Sequence, residues 1–435
     1  MPTGRSRRTG PAGPLALLLL LSVLGLGACT SRDTGTTPGG TAGSPTPMAR
    51  PLRDVAGEVR RALERRAAAV RRDDARAFRA GLASRPAFVR QQRTYLANLV
   101  QLPLARFRYV VDPADVVRDA TGYRVVVHLL MQLDGYDARP VSSPARFRFV
   151  PARHGPDRLL LASVGDRGWE RRHQVAPQPW DEGPIDVRTG AGVLGVFDAR
   201  SVADAPGVIA SVEAGIGDVA AEVPYDWSRS VVVYALSDPA YLDGLPNLPG
   251  HDPARLDAVA FPVASGRGRL AATRFLLSPA MLRRPGPGRD RLVRHELTHV
   301  AVGEHDDRAP VWLAEGIAEW VSVRPIARTQ RVVPAAAIAA ARRGFARLPE
   351  DGTFNDVDSR AHYALSWWAC EYLAAHDGPG ALWSLLDALD RPGTRGAADR
   401  ARVLRERTGL DEARLAERAG GLLLATYAPV AAARD

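Results

Sequence analysis

Apolar side chains recur at three- and four-residue steps at Val55, Val59, Leu63, Ala67 and Val70, which predicts an amphipathic helix over Leu52 to Arg71. Asp73 or Asp74 is placed to cap a second helix carrying Phe78 and Leu82, and a third covers Pro86 to Leu99. The period then changes to two. Phe107, Tyr109 and Val111 alternate with polar positions, as do Tyr123, Val125, Val127, Leu129 and Met131. Phe147 with Phe149, then Leu159 to Val164, complete four strand candidates. Helices followed by a run of strands predict an α+β domain over 51–175.

Pro177, Pro179 and Pro184 surround Trp180 and mark a boundary. Beyond it, strands are predicted at Val193 to Phe197, Val231 to Leu236, Val259 to Val263 and Thr273 to Leu277. Ile209, Val212, Ile216 and Val219 set the apolar face of a helix over about 202 to 223. The rest of 176–435 reads as mostly helical, which predicts a sheet packed on a helical subdomain.

The amino-terminal residues follow neither period. Arg5, Arg7 and Arg8 precede an uncharged run from Pro14 to Gly27, too short for a permanent membrane span and of signal-peptide form. It ends in Leu26-Gly27-Ala28-Cys29, which resembles the bacterial lipobox. That resemblance implies cleavage after residue 28, lipidation of Cys29 and anchoring at the extracytoplasmic face of the membrane; two acyl chains suffice for a stable anchor. Residues 29–50, rich in Thr, Ser, Gly and Pro, read as a flexible tether.

Composition narrows the remaining choices. Of 435 residues, 46% are hydrophobic, which excludes a disordered chain, and two cysteines make neither a disulfide framework nor a four-cysteine zinc site. The net charge of +10 comes from 58 basic residues that are all arginine. A nucleic-acid-binding surface normally mixes arginine with lysine, so the charge is read as codon bias and no nucleic-acid partner is expected. With Cys29 carrying lipid, Cys370 is left alone, mid-helix beside Trp367 and Trp368, and reads as a buried apolar residue. His128, in an alternating strand, reads as a packed or solvated strand residue.

Chemistry concentrates in Arg294-His295-Glu296-Leu297-Thr298-His299, an H-E-x-x-H motif. On a helix His295 and His299 share a face, so both imidazoles can point at one zinc ion, and Glu296 can reach a water on it as general base. Gly303 is placed to end the helix. The third ligand has two candidates. His305, six residues after His299, has the spacing of the third histidine in metzincins. Against it, Val302 stands where that family has glycine, and none of the four methionines follows it. The alternative is Glu315, in a second helix that Pro310 begins and whose Leu313, Ile317 and Trp320 form a packing side.

The segment Trp312-Leu313-Ala314-Glu315-Gly316-Ile317-Ala318, together with the H-E-x-x-H, resembles the glutamate helix of gluzincin metallopeptidases, and its short spacer is similar to the bacterial peptidase-MA-like group. The resemblance implies a zincin-type domain over 176–435, Glu315 as third zinc ligand, and hydrolysis of peptide bonds in a peptide or protein substrate. It further implies that Glu319, one turn on, hydrogen-bonds the free nitrogen of a ligating histidine, where the bare sequence allows a surface glutamate as readily. An oxyanion donor is expected near Arg360-Ala361-His362-Tyr363, with Tyr363 preferred over His362; the competing reading has Tyr363 packing on Trp367. No G-x-M-E-N exopeptidase motif occurs, which favours an endopeptidase. The segments Ala62-Leu63-Glu64-Arg65-Arg66-Ala67 and Asp73-Asp74-Ala75-Arg76-Ala77-Phe78 resemble the helical start of a nuclear-transport-factor-2-like cone, to which no chemistry is assigned. The rival to an enzyme is a binding or scaffold lipoprotein on a zincin fold that no longer catalyses.

Overall fold

The computed structural model of the chain describes residues 51–152, 158–245, 256–394 and 396–431. The expected signal peptide and tether, with Cys29, lie outside them. The described residues pack as one compact unit of mixed α and β structure.

Three helices come first: α1 (Leu52–Arg71), α2 (Ala75–Ala80) and α3 (Pro86–Leu99). Asp74 caps α2 by accepting from the Ala77 N–H, and Leu82 lies past the helix end, bridged to Leu161. An antiparallel sheet follows, built from β1 (Leu104–Val110), β2 (Val116–Asp119), β3 (Gly122–Leu133), β4 (Val141–Pro151) and β5 (Leu159–Ser163). Its order is β1-β3-β4-β5, with β2 also pairing with β3. The short β2 has no counterpart in the sequence reading: four residues are too few to establish a period. Helix α1 lays Val55, Val59 and Leu63 on Val125, Val127 and Phe149 of this sheet.

Two short helices, α4 (Arg167–Arg172) and α5 (Pro179–Glu182), lead to a second sheet. Its strands are β6 (Asp186–Gly190), β7 (Val193–Phe197), β8 (Val231–Ala235), β9 (Ala258–Ala264) and β10 (Leu270–Leu277), in the order β6-β7-β8-β10-β9. Strands β7, β8 and β10 run parallel, and β6 and β9 are antiparallel edges. Between them lie α6 (Ala205–Glu222) and α7 (Ala240–Asp243). Every residue of β7 and β8 is buried, because both faces of the sheet are covered. On one face Val193, Phe197, Val231, Val233 and Phe275 join the core of the helical half. On the other, Leu194, Val196, Val232 and Leu276 pack with Phe107, Met131 and Leu133 of the first sheet.

The helical half comprises α8 (Pro279–Leu282), α9 (Pro287–Val302), α10 (Val311–Ser322), α11 (Ala335–Arg343), α12 (Ser359–Asp377), α13 (Gly380–Leu389), α14 (Ala397–Thr408) and α15 (Glu412–Ala431). Cys370 of α12 is a fully buried free thiol, as expected. Among the described residues no helix is long and apolar enough to cross a membrane.

Candidate metal centre

Helix α9 carries the H-E-x-x-H. It begins at Pro287 and stops at Gly303, whose φ of 60° is a conformation other residues rarely adopt. Val293 and Leu297 are fully buried and Ala301 nearly so, which fixes the helix on the core and sets its rotation. Gly215 of α6 makes the close approach possible: a Cβ there would lie 2.8 Å from Leu297 Cδ1. With that side committed to packing, His295 and His299 point toward α10.

Helix α10 supplies the acid. Trp312, Leu313, Ile317 and Trp320 are buried, so the helix is anchored and Glu315 faces α9. Gly316 explains the glycine of the motif. A Cβ there would lie 2.5 Å from the Ser366 carbonyl oxygen and 2.8 Å from Cys370 Sγ, so only glycine lets α10 lie against the backbone of α12.

Three donor atoms converge. His295 Nε2 lies 3.1 Å from Glu315 Oε2, His299 Nε2 lies 3.5 Å from the same oxygen, and the two Nε2 atoms are 3.3 Å apart. Donors held about 2.0–2.1 Å from a tetrahedral ion sit about 3.3 Å from one another. The measured separations bracket that value, so this His-His-Glu group fits an ion of zinc's size. His305, the other candidate, is turned elsewhere: its ring stacks on Tyr225 at 3.9 Å, and its Nδ1 lies 3.7 Å from Asp387.

Both imidazoles have a carboxylate behind them. Glu319 Oε1 lies 3.5 Å from His295 Nδ1, while its Oε2 accepts from Arg291. Asp306 Oδ2 lies 3.7 Å from His299 Nδ1. The role of Asp306 was not foreseen. It follows the helix terminator in the polar run Glu304-His305-Asp306-Asp307, where no period relates it to His299.

Glu296 lies on the sheet side, where its carboxylate accepts from the Ala260 N–H of edge strand β9. Tyr363 of α12 comes to the same region. Its ring centre is 6.2 Å from that of His295, it packs edge-on to Phe354 at 4.9 Å, and its hydroxyl lies 3.4 Å from Asn355 Oδ1. His362, its neighbour, instead places Nδ1 2.9 Å from the Phe354 carbonyl oxygen and 3.7 Å from Asp356.

The electrostatics follow from four carboxylates gathered around two imidazoles in a buried space. Burial opposes charge on Glu315, but His299 and His295 outweigh it and hold the carboxyl well below its ordinary range. Burial likewise opposes the imidazolium forms. At His295 the pull of Glu315 and Glu319 prevails, and at His299 that of Glu315 and Asp306, so both take up a proton more readily than usual. Glu296 is raised by burial, with partial relief from the two histidines and the Ala260 N–H. Burial and then the charges of Glu315, Glu296 and Glu319 keep the Tyr363 hydroxyl protonated, hence a donor. The group concentrates negative charge in a buried space and so favours a cation there.

No family model matches the sequence, and no curated protein is detectably similar to it.

Proposed function

We propose that the chain is a zinc-dependent peptidase that hydrolyses internal peptide bonds, held at the extracytoplasmic face of a bacterial membrane by lipid on Cys29. The observation that carries the reading is the meeting of His295, His299 and Glu315 at one point, with Glu296 on the same helix as the two histidines.

In this reading His295, His299 and Glu315 would hold the ion. Bound zinc supplies Lewis acidity, lowering the pKa of water and polarising a carbonyl. Glu319 and Asp306 orient the two imidazoles through their Nδ1 atoms. Glu296 takes the proton from the attacking water on its carboxylate and passes it to the leaving amine. The elevated proton affinity that burial gives it suits both halves of that transfer. The Tyr363 hydroxyl donates to the oxygen on which negative charge develops. Strand β9 is an antiparallel edge of its sheet beside Glu296, and an extended chain lying along it would bring its carbonyl to the base.

The test is metal analysis of the purified chain together with cleavage of a peptide library. One zinc per chain and internal cleavage are expected, with Glu296→Gln keeping the zinc and losing hydrolysis by at least 100-fold. A chain that binds no zinc would favour the scaffold reading. Full activity in Glu296→Gln would remove the assigned base.

A further inference from the structure

Charge is segregated along this chain. Residues 51–175 carry 24 arginines against 13 aspartates and glutamates, whereas residues 176–435, which hold the metal centre, carry 29 against 34. Codon bias accounts for arginine in place of lysine throughout. It does not account for a basic excess confined to one half.

The excess is densest on the first two helices. Val55, Val59 and Leu63 turn one side of α1 to the first sheet, and Arg60, Arg61 and Arg71 come out on the other, with Arg72 at the helix end. Arg76 and Arg79 follow on α2. All six are exposed, and among the described residues none of them is in an ion pair. Arg71 and Arg79 donate to the neutral carbonyls of Phe107 and Ala75, which leaves their charge uncompensated. The carboxylates exposed on this stretch are Glu64 and Asp73, while Asp74 accepts from the Ala77 N–H as the cap of α2. Like charges gathered in this way repel one another, and an anionic partner relieves the repulsion.

Two observations identify that partner. The aromatic residue of this stretch, Phe78, is buried, so the face offers no ring on which a nucleic-acid base could stack. The lipid proposed on Cys29 is separated from α1 by 22 residues, so α1 is the described element nearest to the anchor along the chain. Even fully extended, that segment holds α1 within about 80 Å of the bilayer.

We propose that the arginine face of α1 and α2 docks on the anionic phospholipid headgroups of the membrane that carries the chain, turning the basic half to the bilayer. The inference rests on the membrane address proposed above, and it adds electrostatic attraction to the acyl anchor.

Residues 29–435 with Cys29→Ser contain the whole described fold and carry no lipid, so they test the face apart from the anchor. In co-sedimentation at low ionic strength, this chain should bind phosphatidylcholine vesicles containing about 30% phosphatidylglycerol at least tenfold more tightly than vesicles of phosphatidylcholine alone. Salt at about 0.5 M should abolish the difference. The quadruple variant Arg60→Gln, Arg61→Gln, Arg72→Gln, Arg76→Gln should lose the tenfold preference. A second quadruple variant, Arg283→Gln, Arg284→Gln, Arg342→Gln, Arg343→Gln, removes four exposed arginines from the metal half and changes the net charge equally. It should keep the preference within twofold. Equal binding to the two kinds of vesicle, equal losses in the two variants, or no binding to either vesicle would overturn the proposal. Tighter binding to single-stranded RNA than to the anionic vesicles would overturn it as well, by assigning the face to nucleic acid. None of these outcomes bears on lipid at Cys29, which the mass of the chain extracted from membranes reports separately.

Discussion

Glu319 Oε1 lies 3.5 Å from Nδ1 of His295, on the edge of the ring opposite the nitrogen that meets Glu315. The bond to Arg291 holds Glu319 in place, and Arg291 lies over the Trp367 ring at 5.1 Å. A carboxylate in this position fixes the tautomer that leaves Nε2 free to bind a metal. Glu319→Gln and Asp306→Asn should therefore each weaken zinc binding by about 10- to 100-fold. Glu315→Ala should weaken it further, while His305→Ala should leave it unchanged. Competition against a chelating dye reads all four, and loss of zinc in His305→Ala would point to the other third ligand.

Gly316 predicts a coupling between packing and chemistry. Alanine at 316 would drive its Cβ into the Ser366 carbonyl and Cys370 Sγ, neither of which is the free end of a flexible chain. Helix α10 must then move off α12, at a cost of about 1–3 kcal/mol for overpacking. Because Glu315 is the adjacent residue, zinc affinity should fall with stability. Gly217→Ala, in the interior of α6 where a Cβ meets nothing within 4 Å, is the control: it should leave zinc affinity unchanged and raise stability by about 0.5–1 kcal/mol. Thermal unfolding with and without chelator measures both effects.

Helix α1 and helix α3 have the ends that periodicity predicts, and β7 matches its predicted span, because each is a run with one dominant period. The edge strand β6, Asp-Val-Arg-Thr-Gly, has no such pattern, since its neighbour buries only part of it. In the candidate site, His295, Glu296, His299 and Glu315 are legible as local motifs within two helices. Asp306, Arg291 and the Ala260 N–H are not, because each depends on how separate segments meet.

The junction between the sheets contains a buried ion pair. Arg274 of β10 and Asp137 of the β3–β4 turn are both fully buried, 2.9 Å apart. Asp137 also accepts from the Leu133 N–H, and Arg274 donates to the Tyr234 hydroxyl at 2.7 Å. Removing one partner strands the other charge, so Asp137→Ala should destabilise the chain by about 3–5 kcal/mol. Replacing both with apolar residues of similar volume should cost far less, since the desolvation of two charges is no longer required. A double-mutant cycle by urea denaturation checks this, and a double variant as unstable as Asp137→Ala would contradict it.

Acid sensitivity should arise in part from Asp119 on the first sheet. Its carboxylate accepts from Arg148 Nε at 3.0 Å, from Arg124 Nε at 3.3 Å and from the Thr121 N–H at 2.9 Å. The Arg148 bond above all, then the Thr121 N–H, holds its carboxyl well below the ordinary carboxylate range. In the unfolded chain Asp119 titrates near its usual value of about 3.9, so it binds a proton there more readily than in the fold. Its contribution is thus fully present above about pH 5 and is lost as the pH falls toward the depressed folded value. Asp119→Asn should be less stable than the parent at pH 7 and lose less on acidification, so that the two urea midpoints converge toward pH 2. Midpoints that stay a constant distance apart from pH 7 to pH 2 would show that Asp119 acts through packing and not through its charge.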